Sequence, residues 1–173
     1  MRPLDLDVDV RVTQLDEIAE ALPDRTSTLS RLFLTRTSIG VSRTEIGVMR
    51  NLQVRPRRIT ELALDERVSQ PAITLLVNRL AARGWVRRVA DPSDGRAVLV
   101  SLTSTGEEVF DRLRAEYRAM LHEEMATLKD SDVDTLARSI DILDRLIARL
   151  TERDQLAERR RLIDRDQLAE RDA

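Results

Sequence analysis

Residues 68–84 read Val68-Ser-Gln-Pro-Ala-Ile-Thr-Leu-Leu-Val-Asn-Arg-Leu-Ala-Ala-Arg-Gly84, and their spacing decides the fold. Ser69 offers a side-chain oxygen to the orphan amides of a first helical turn, and Pro71 gives up only an amide hydrogen that has no use there. Ile73, Leu76, Val77 and Leu80 recur at steps of three and four, which puts one apolar stripe toward a core. The helix is predicted to run to Arg83 and stop at Gly84. Left on its outer face are Gln70, Thr74, Leu75, Asn78 and Arg79. This face carries amides, a hydroxyl, a guanidinium and one leucine.

Upstream, Ile59-Thr-Glu-Leu-Ala reads as a short helix capped by Thr60 with Leu62, Ala63 and Leu64 inside, followed by the turn Asp65-Glu-Arg-Val. Before it, Ser42 caps a helix over 43–53 in which Ile46, Met49 and Leu52 face the core and Gly47 permits close helix contact. Downstream, β-branched runs at 86–90 and 97–102 flank Asp91-Pro-Ser-Asp-Gly-Arg96, whose proline, aspartates and glycine make a hairpin loop. Thr103, Ser104 or Thr105 then caps a long helix to about Leu128, with Glu107 and Glu108 offering a capping box to the latter two. Two helices, a tight turn and a hairpin in this order spell a winged helix-turn-helix.

Long helices flank this core. A segment from Val12 to Thr37 carries Leu15, Ile18, Ala19 and Leu22 on one stripe and Leu29, Leu32 and Phe33 on the next. Pro23 between them is expected to kink or restart the helix, and Gly40 to end it. After Asp130-Ser-Asp, the residues Val133, Leu136, Ile140, Leu143, Ile147 and Leu150 form a heptad-like seam. A seam of this length calls for a partner helix, so Leu15, Ile18 and the seam are assigned to dimerisation. Arg-Asp-Gln-Leu-Ala-Glu-Arg stands at 153–159 and again at 165–171. A 12-residue offset turns the second copy by about 120° on a helix, so the repeat does not extend the seam. A charged, frayed or idiosyncratic helical tail over 152–173 is expected.

The 173 residues suffice for one domain with a helical extension, and 35% charged with 2% aromatic residues indicates long solvated helices rather than an aromatic-rich enzyme. There is no cysteine, which excludes disulfides and thiol sensing. No apolar run approaches a membrane span, and the start lacks the regions of a signal peptide, so a cytoplasmic protein is expected. All five glycines have structural places and none forms a phosphate-cradling loop. His122 has no nucleophile motif beside it, and one histidine makes a poor metal site. Neither an enzyme, a metal nor a cofactor is expected. The net charge of −2 is uneven: residues 55–96 hold nine arginines against five acids, leaving the remainder at −6. A cationic segment on an acidic body suits a polyanion that meets one face.

In its combination of Val68-Ser-Gln-Pro-Ala-Ile, Ala81-Ala-Arg-Gly-Trp-Val, Asp94-x-Arg96 and Leu102-Thr-x-x-Gly, the chain resembles the MarR family of bacterial transcriptional regulators. The likeness extends more loosely over 13–151. It implies a mainly α fold with a small β-hairpin wing, a DNA-binding core over 43–102, and N- and C-terminal dimerisation helices at about 13–37 and 105–151. The family commonly has a left-handed glycine where Arg67 stands, which leaves the turn type open, and often a basic residue where Gly95 stands. The resemblance implies a homodimer on a pseudo-palindromic double-stranded DNA operator, acting as a repressor released by a small, often phenolic or aromatic, ligand. Ser69, Gln70, Thr74, Asn78 and Arg79 are the expected readers or phosphate ligands. Leu75 suits thymine methyls, and Arg87, Arg88, Asp94 and Arg96 are the expected wing contacts. The alternatives are an architectural DNA binder without effector control and a helical protein-interaction module.

Overall fold

The computed structural model describes residues 3–91 and 94–171, with side chains over 10–91 and 98–157 and at 160. The chain forms two compact units, Met1–Met120 and Leu121–Ala173. The first contains α1 (Pro3–Arg36), α2 (Arg43–Val54), β1 (Arg57–Arg58), α3 (Ile59–Asp65), α4 (Gln70–Ala82), β2 (Val86–Asp91), β3 (Asp94–Leu102) and most of α5 (Ser104–Met125). The second is dominated by α6 (Asp130–Arg171).

Local chemistry sets the ends of the central helices. Ser42 and Glu45 close a capping box on α2, the Ser42 hydroxyl accepting from the Glu45 amide at 3.2 Å and the Glu45 carboxylate from the Ser42 amide at 2.7 Å. For α3 the expected Thr60 cap is displaced. Arg58 is the N-cap residue, and Glu61 reaches back to its amide at 2.7 Å. That carboxyl is held below the usual range by its hydrogen bond to Arg55, then by the Arg58 amide. Leu64, expected inside, is 69% exposed, because two residues turn a helix by about 200° and carry it to the face opposite buried Leu62.

The turn after α3 keeps a left-handed residue, and it is Arg67, at φ 54°. Its amide donates to Leu64 O at 3.1 Å and the Val68 amide to Ala63 O at 3.0 Å, so the backbone bonds that end α3 impose a conformation costing about 1–2 kcal/mol for a non-glycine residue. Ser69 caps α4 as expected, accepting from the Ala72 amide at 3.4 Å. At the other end Gly84, at φ 74°, donates to Ala81 O at 2.9 Å, and Trp85 donates to Leu80 O at 3.0 Å.

The sheet has the order β1-β3-β2, both pairings antiparallel. The two-residue β1 was not expected; it is too short to show any alternation in sequence. The hairpin is also longer than read: β2 reaches Asp91 and β3 begins at Asp94, with a register shift between Ala90 and Asp91. Asp94, Gly95 and Arg96 therefore belong to a strand rather than to the loop, and their side chains lie outside the described residues.

The core sits under the helix-turn-helix. Ile46, Met49, Leu62, Ile73, Leu76, Val77, Leu80, Val100, Phe110 and Leu113 are buried together. Gly106 lets α5 start against this core, since a Cβ there would run into the Trp85 carbonyl oxygen. Thr103 is the residue that caps α5, its hydroxyl accepting from the Gly106 amide at 3.0 Å. The N-terminal helix starts at Pro3, well before the expected Val12, and continues through Pro23 without a break. In the second unit α6 runs to Arg171, so the tail is a continuation of the seam helix, about 63 Å long in all. Among the described residues no helix is long and apolar enough to cross a membrane.

Candidate nucleic-acid interface

The burial of Ile73, Leu76, Val77 and Leu80 turns the opposite side of α4 outward. Gln70, Leu75, Asn78 and Arg79 are exposed there and Thr74 is half-buried. Gln70, Pro71, Thr74, Leu75 and Asn78 together line a shallow concavity of about 480 Å³. The sequence-predicted reading residues are thus brought to one surface, with Leu75 at 59% exposure among polar neighbours.

Several of these side chains are already engaged. The Thr74 hydroxyl donates to Gln70 O at 2.8 Å, which spends its hydrogen on the helix and leaves its methyl group and lone pairs for a ligand. Arg79 Nε lies 3.7 Å from Glu45 Oε1, an ion pair between a half-exposed guanidinium and a buried carboxylate. Arg88 Nη2, on β2, donates to Asn78 Oδ1 at 2.7 Å. Its neighbour Arg87 donates from Nε to Ser101 Oγ at 3.3 Å across the hairpin. Both arginines are exposed, and Arg88 brings its cation against α4 through its bond to Asn78.

Two residues outside the sequence-based set hold this surface in place. Glu45 belongs to the α2 capping box and pairs with Arg79, tying α2 to α4. Asp91, 7% exposed, receives Arg58 Nη2 at 2.6 Å and Nε at 3.1 Å on one oxygen, fixing β1 to the end of β2. Only the acidic cap signal of Glu45 was visible in sequence. The Arg58 to Asp91 pair spans 33 residues and has no local signature. Arg83 stacks on Trp85 at 4.1 Å and donates to Gly40 O at 2.9 Å, closing the helix end against the loop after α1.

A second concavity, of about 370 Å³, lies in the same unit, between Phe33 and Leu34 of α1, Ile46 and Arg50 of α2, Glu66, and Tyr117 of α5. The Phe33 and Tyr117 rings lie 4.9 Å apart, and the Tyr117 hydroxyl is buried without a hydrogen-bond partner among the described residues. Glu66 accepts from Asn51 Nδ2 at 3.0 Å, and burial pushes its carboxyl above the usual range. Gly47 leaves room for that carboxylate, which would have to shift for a Cβ.

The dimerisation set remains uncovered within the chain. In the first unit Leu15 and Ile18 are 58% and 56% exposed. In the second, Val133, Leu136, Ile140, Ile147 and Leu150 are exposed and Leu143 is half-buried.

Comparison with known proteins converges on one family. Residues 41–98 match the model of the MarR family. An uncharacterized HTH-type transcriptional regulator of Mycobacterium bovis is 38% identical over 86 residues, which is 50% of this chain and 60% of that protein. The multiple antibiotic resistance protein MarR of Escherichia coli is 36% identical over 66 residues, 38% of this chain and 46% of that protein. The chain thus spans about 60% of the length of the first of these relatives. Among solved structures, a mutant MarR from E. coli superposes with a TM-score of 0.65 at 24% identity, covering 73% of this chain and 95% of that one. A MarR family protein from Bacillus stearothermophilus gives 0.63 at 18% identity, covering 81% and 97%. Both establish the winged-helix fold.

Proposed function

From the premise that this chain belongs to the MarR family through its winged helix-turn-helix at residues 41–98, we propose that it is a homodimeric, sequence-specific DNA-binding transcriptional regulator acting as a repressor. The observation that carries the reading is the division of α4 into a buried apolar stripe and an exposed face of Gln70, Leu75, Asn78 and Arg79, with Arg88 of the wing stem bonded to it. A helix of this kind enters the major groove, where amides and guanidinium groups meet base edges and an apolar side chain meets thymine methyls. Ser69 and Arg87 contact phosphates, and Asp94 and Arg96 act at the wing, the aspartate orienting the guanidinium toward the minor groove.

Two copies, joined through the apolar positions of α1 and α6, place their recognition helices on half-sites about 34 Å apart, which accounts for a pseudo-palindromic operator. A small aromatic or phenolic effector fits the concavity between Phe33, Arg50 and Tyr117, where an aromatic wall, a cation and an unpartnered hydroxyl converge. Its occupancy shifts the dimer population away from the DNA-competent spacing.

The test is a gel shift with duplex DNA from upstream of the chain's own gene, at 50 and 200 mM salt. Affinity is expected to fall by about a thousandfold or more between the two, for six or more phosphate contacts. The Arg87→Ala variant should bind all sequences more weakly and lower the salt slope by about one. A monomer that ignores duplex DNA at low salt would sink the proposal.

A further inference from the structure

The hydrogen bond from Arg88 to Asn78 changes what the recognition helix can read. An asparagine that specifies adenine does so with both ends of its amide: the oxygen accepts from the adenine amino group while the nitrogen donates to the ring nitrogen beside it. Here the oxygen is held at 2.7 Å by a guanidinium that arrives from β2, a different element from the helix carrying the amide. The cation puts further N–H donors next to the amide oxygen, where an adenine amino group would have to approach. Donor then faces donor, and the exchange that selects adenine is disfavoured.

What the pair does offer outward is hydrogen-bond donors on both sides, the Asn78 Nδ2 and the remaining guanidinium hydrogens of Arg88. The base whose major-groove edge carries two adjacent acceptors is guanine, through O6 and N7. Its neighbours sharpen the pattern. Thr74 has given its hydrogen to Gln70 O and Leu75 is exposed beside it, so this turn of α4 presents methyl groups rather than donors, toward the methyl of a thymine. Arg79, which by residue type can take a guanine or a phosphate, is drawn toward buried Glu45 instead.

We infer that Arg88 and Asn78 form one composite reading element that selects a guanine in each half-site, and that Arg88 sets this choice by capping the Asn78 oxygen. The inference rests on the DNA-binding function proposed above and deepens it. The consequence is a specificity switch located on the wing strand rather than on the recognition helix.

Selection from a randomised duplex library tests it, using the full chain, Arg88→Ala and Asn78→Ala. Both side chains are exposed, so neither truncation removes core. The position read by Asn78 is the one whose preference disappears in Asn78→Ala, and in the wild type it should be guanine. In Arg88→Ala the same position should change toward adenine, the ratio of guanine to adenine falling about tenfold or more, while preferences elsewhere in the half-site persist. Uniform weakening without a change of base would overturn the inference and reduce Arg88 to a phosphate contact. So would an adenine preference in the wild type, or loss of guanine with no gain of adenine. A wild-type chain that selects no sequence at all would instead remove the function on which the inference stands.

Discussion

Between Ile46 and Leu113 the described chain buries sixteen hydrophobic residues, and from α1 and α6 it exposes fourteen large ones. The first region closes a core from short elements that cross one another, so that α2, α3, α4, the sheet and the start of α5 cover each other's apolar faces. The second consists of helices whose apolar stripes are as regular but meet no covering surface along most of their length. Stripes of this size are rarely left to water, at about 25 cal/mol per Å². The contrast teaches that the winged helix is organised by its own chain, whereas the long helices leave apolar surface that the chain itself does not cover.

The contrast breaks most severely at its buried side. Leu62→Ala, at a fully buried position, should cost about 3–4 kcal/mol, read from the denaturant midpoint and independent of protein concentration. A much smaller loss would mean that the central core does not hold the unit together. Ile140→Asp should leave that core intact and act on association: a carboxylate forced into an apolar seam is expected to weaken the dimer by about 3 kcal/mol, on the order of a hundredfold in dissociation constant. Sedimentation across a dilution series checks this, and an unchanged dimer would place the interface elsewhere. The smallest effect sharpens the picture of how the first region closes. Arg67→Gly, at φ 54°, should raise stability by about 1 kcal/mol by relieving the left-handed backbone, visible as a higher thermal midpoint. A loss instead would show that contacts of the Arg67 side chain outweigh the strain.

Legibility in the sequence followed the same divide between local and distant causes. The cap at Ser69, the stop at Gly84 and the stripe of Ile73, Leu76, Val77 and Leu80 were readable because each depends on residues within a turn or two. So was the outward set on α4, which is what remains once the stripe is removed. The reading of Leu64 as core failed because three successive residues cannot share one helical face, and Leu62 with Ala63 fill the buried one. The loop assignment of Asp94 to Arg96 failed because turn-forming residues signal a bend without fixing how far strand pairing continues into it.

By itself, then, the sequence determined where α4 begins and stops, which of its faces is apolar, and that a cationic winged helix lies between two long helices. Those properties follow from backbone geometry and near-neighbour side chains, which the order of residues specifies directly. The tertiary structure alone decided the partners: Arg88 on Asn78, Arg58 on Asp91, Glu45 on Arg79, and a strained arginine where a glycine was expected. Long polar side chains are exposed in any local reading, and only the packing of separate elements brings a particular guanidinium within reach of a particular oxygen. For α4 that difference decides which donors and acceptors its exposed face is left with.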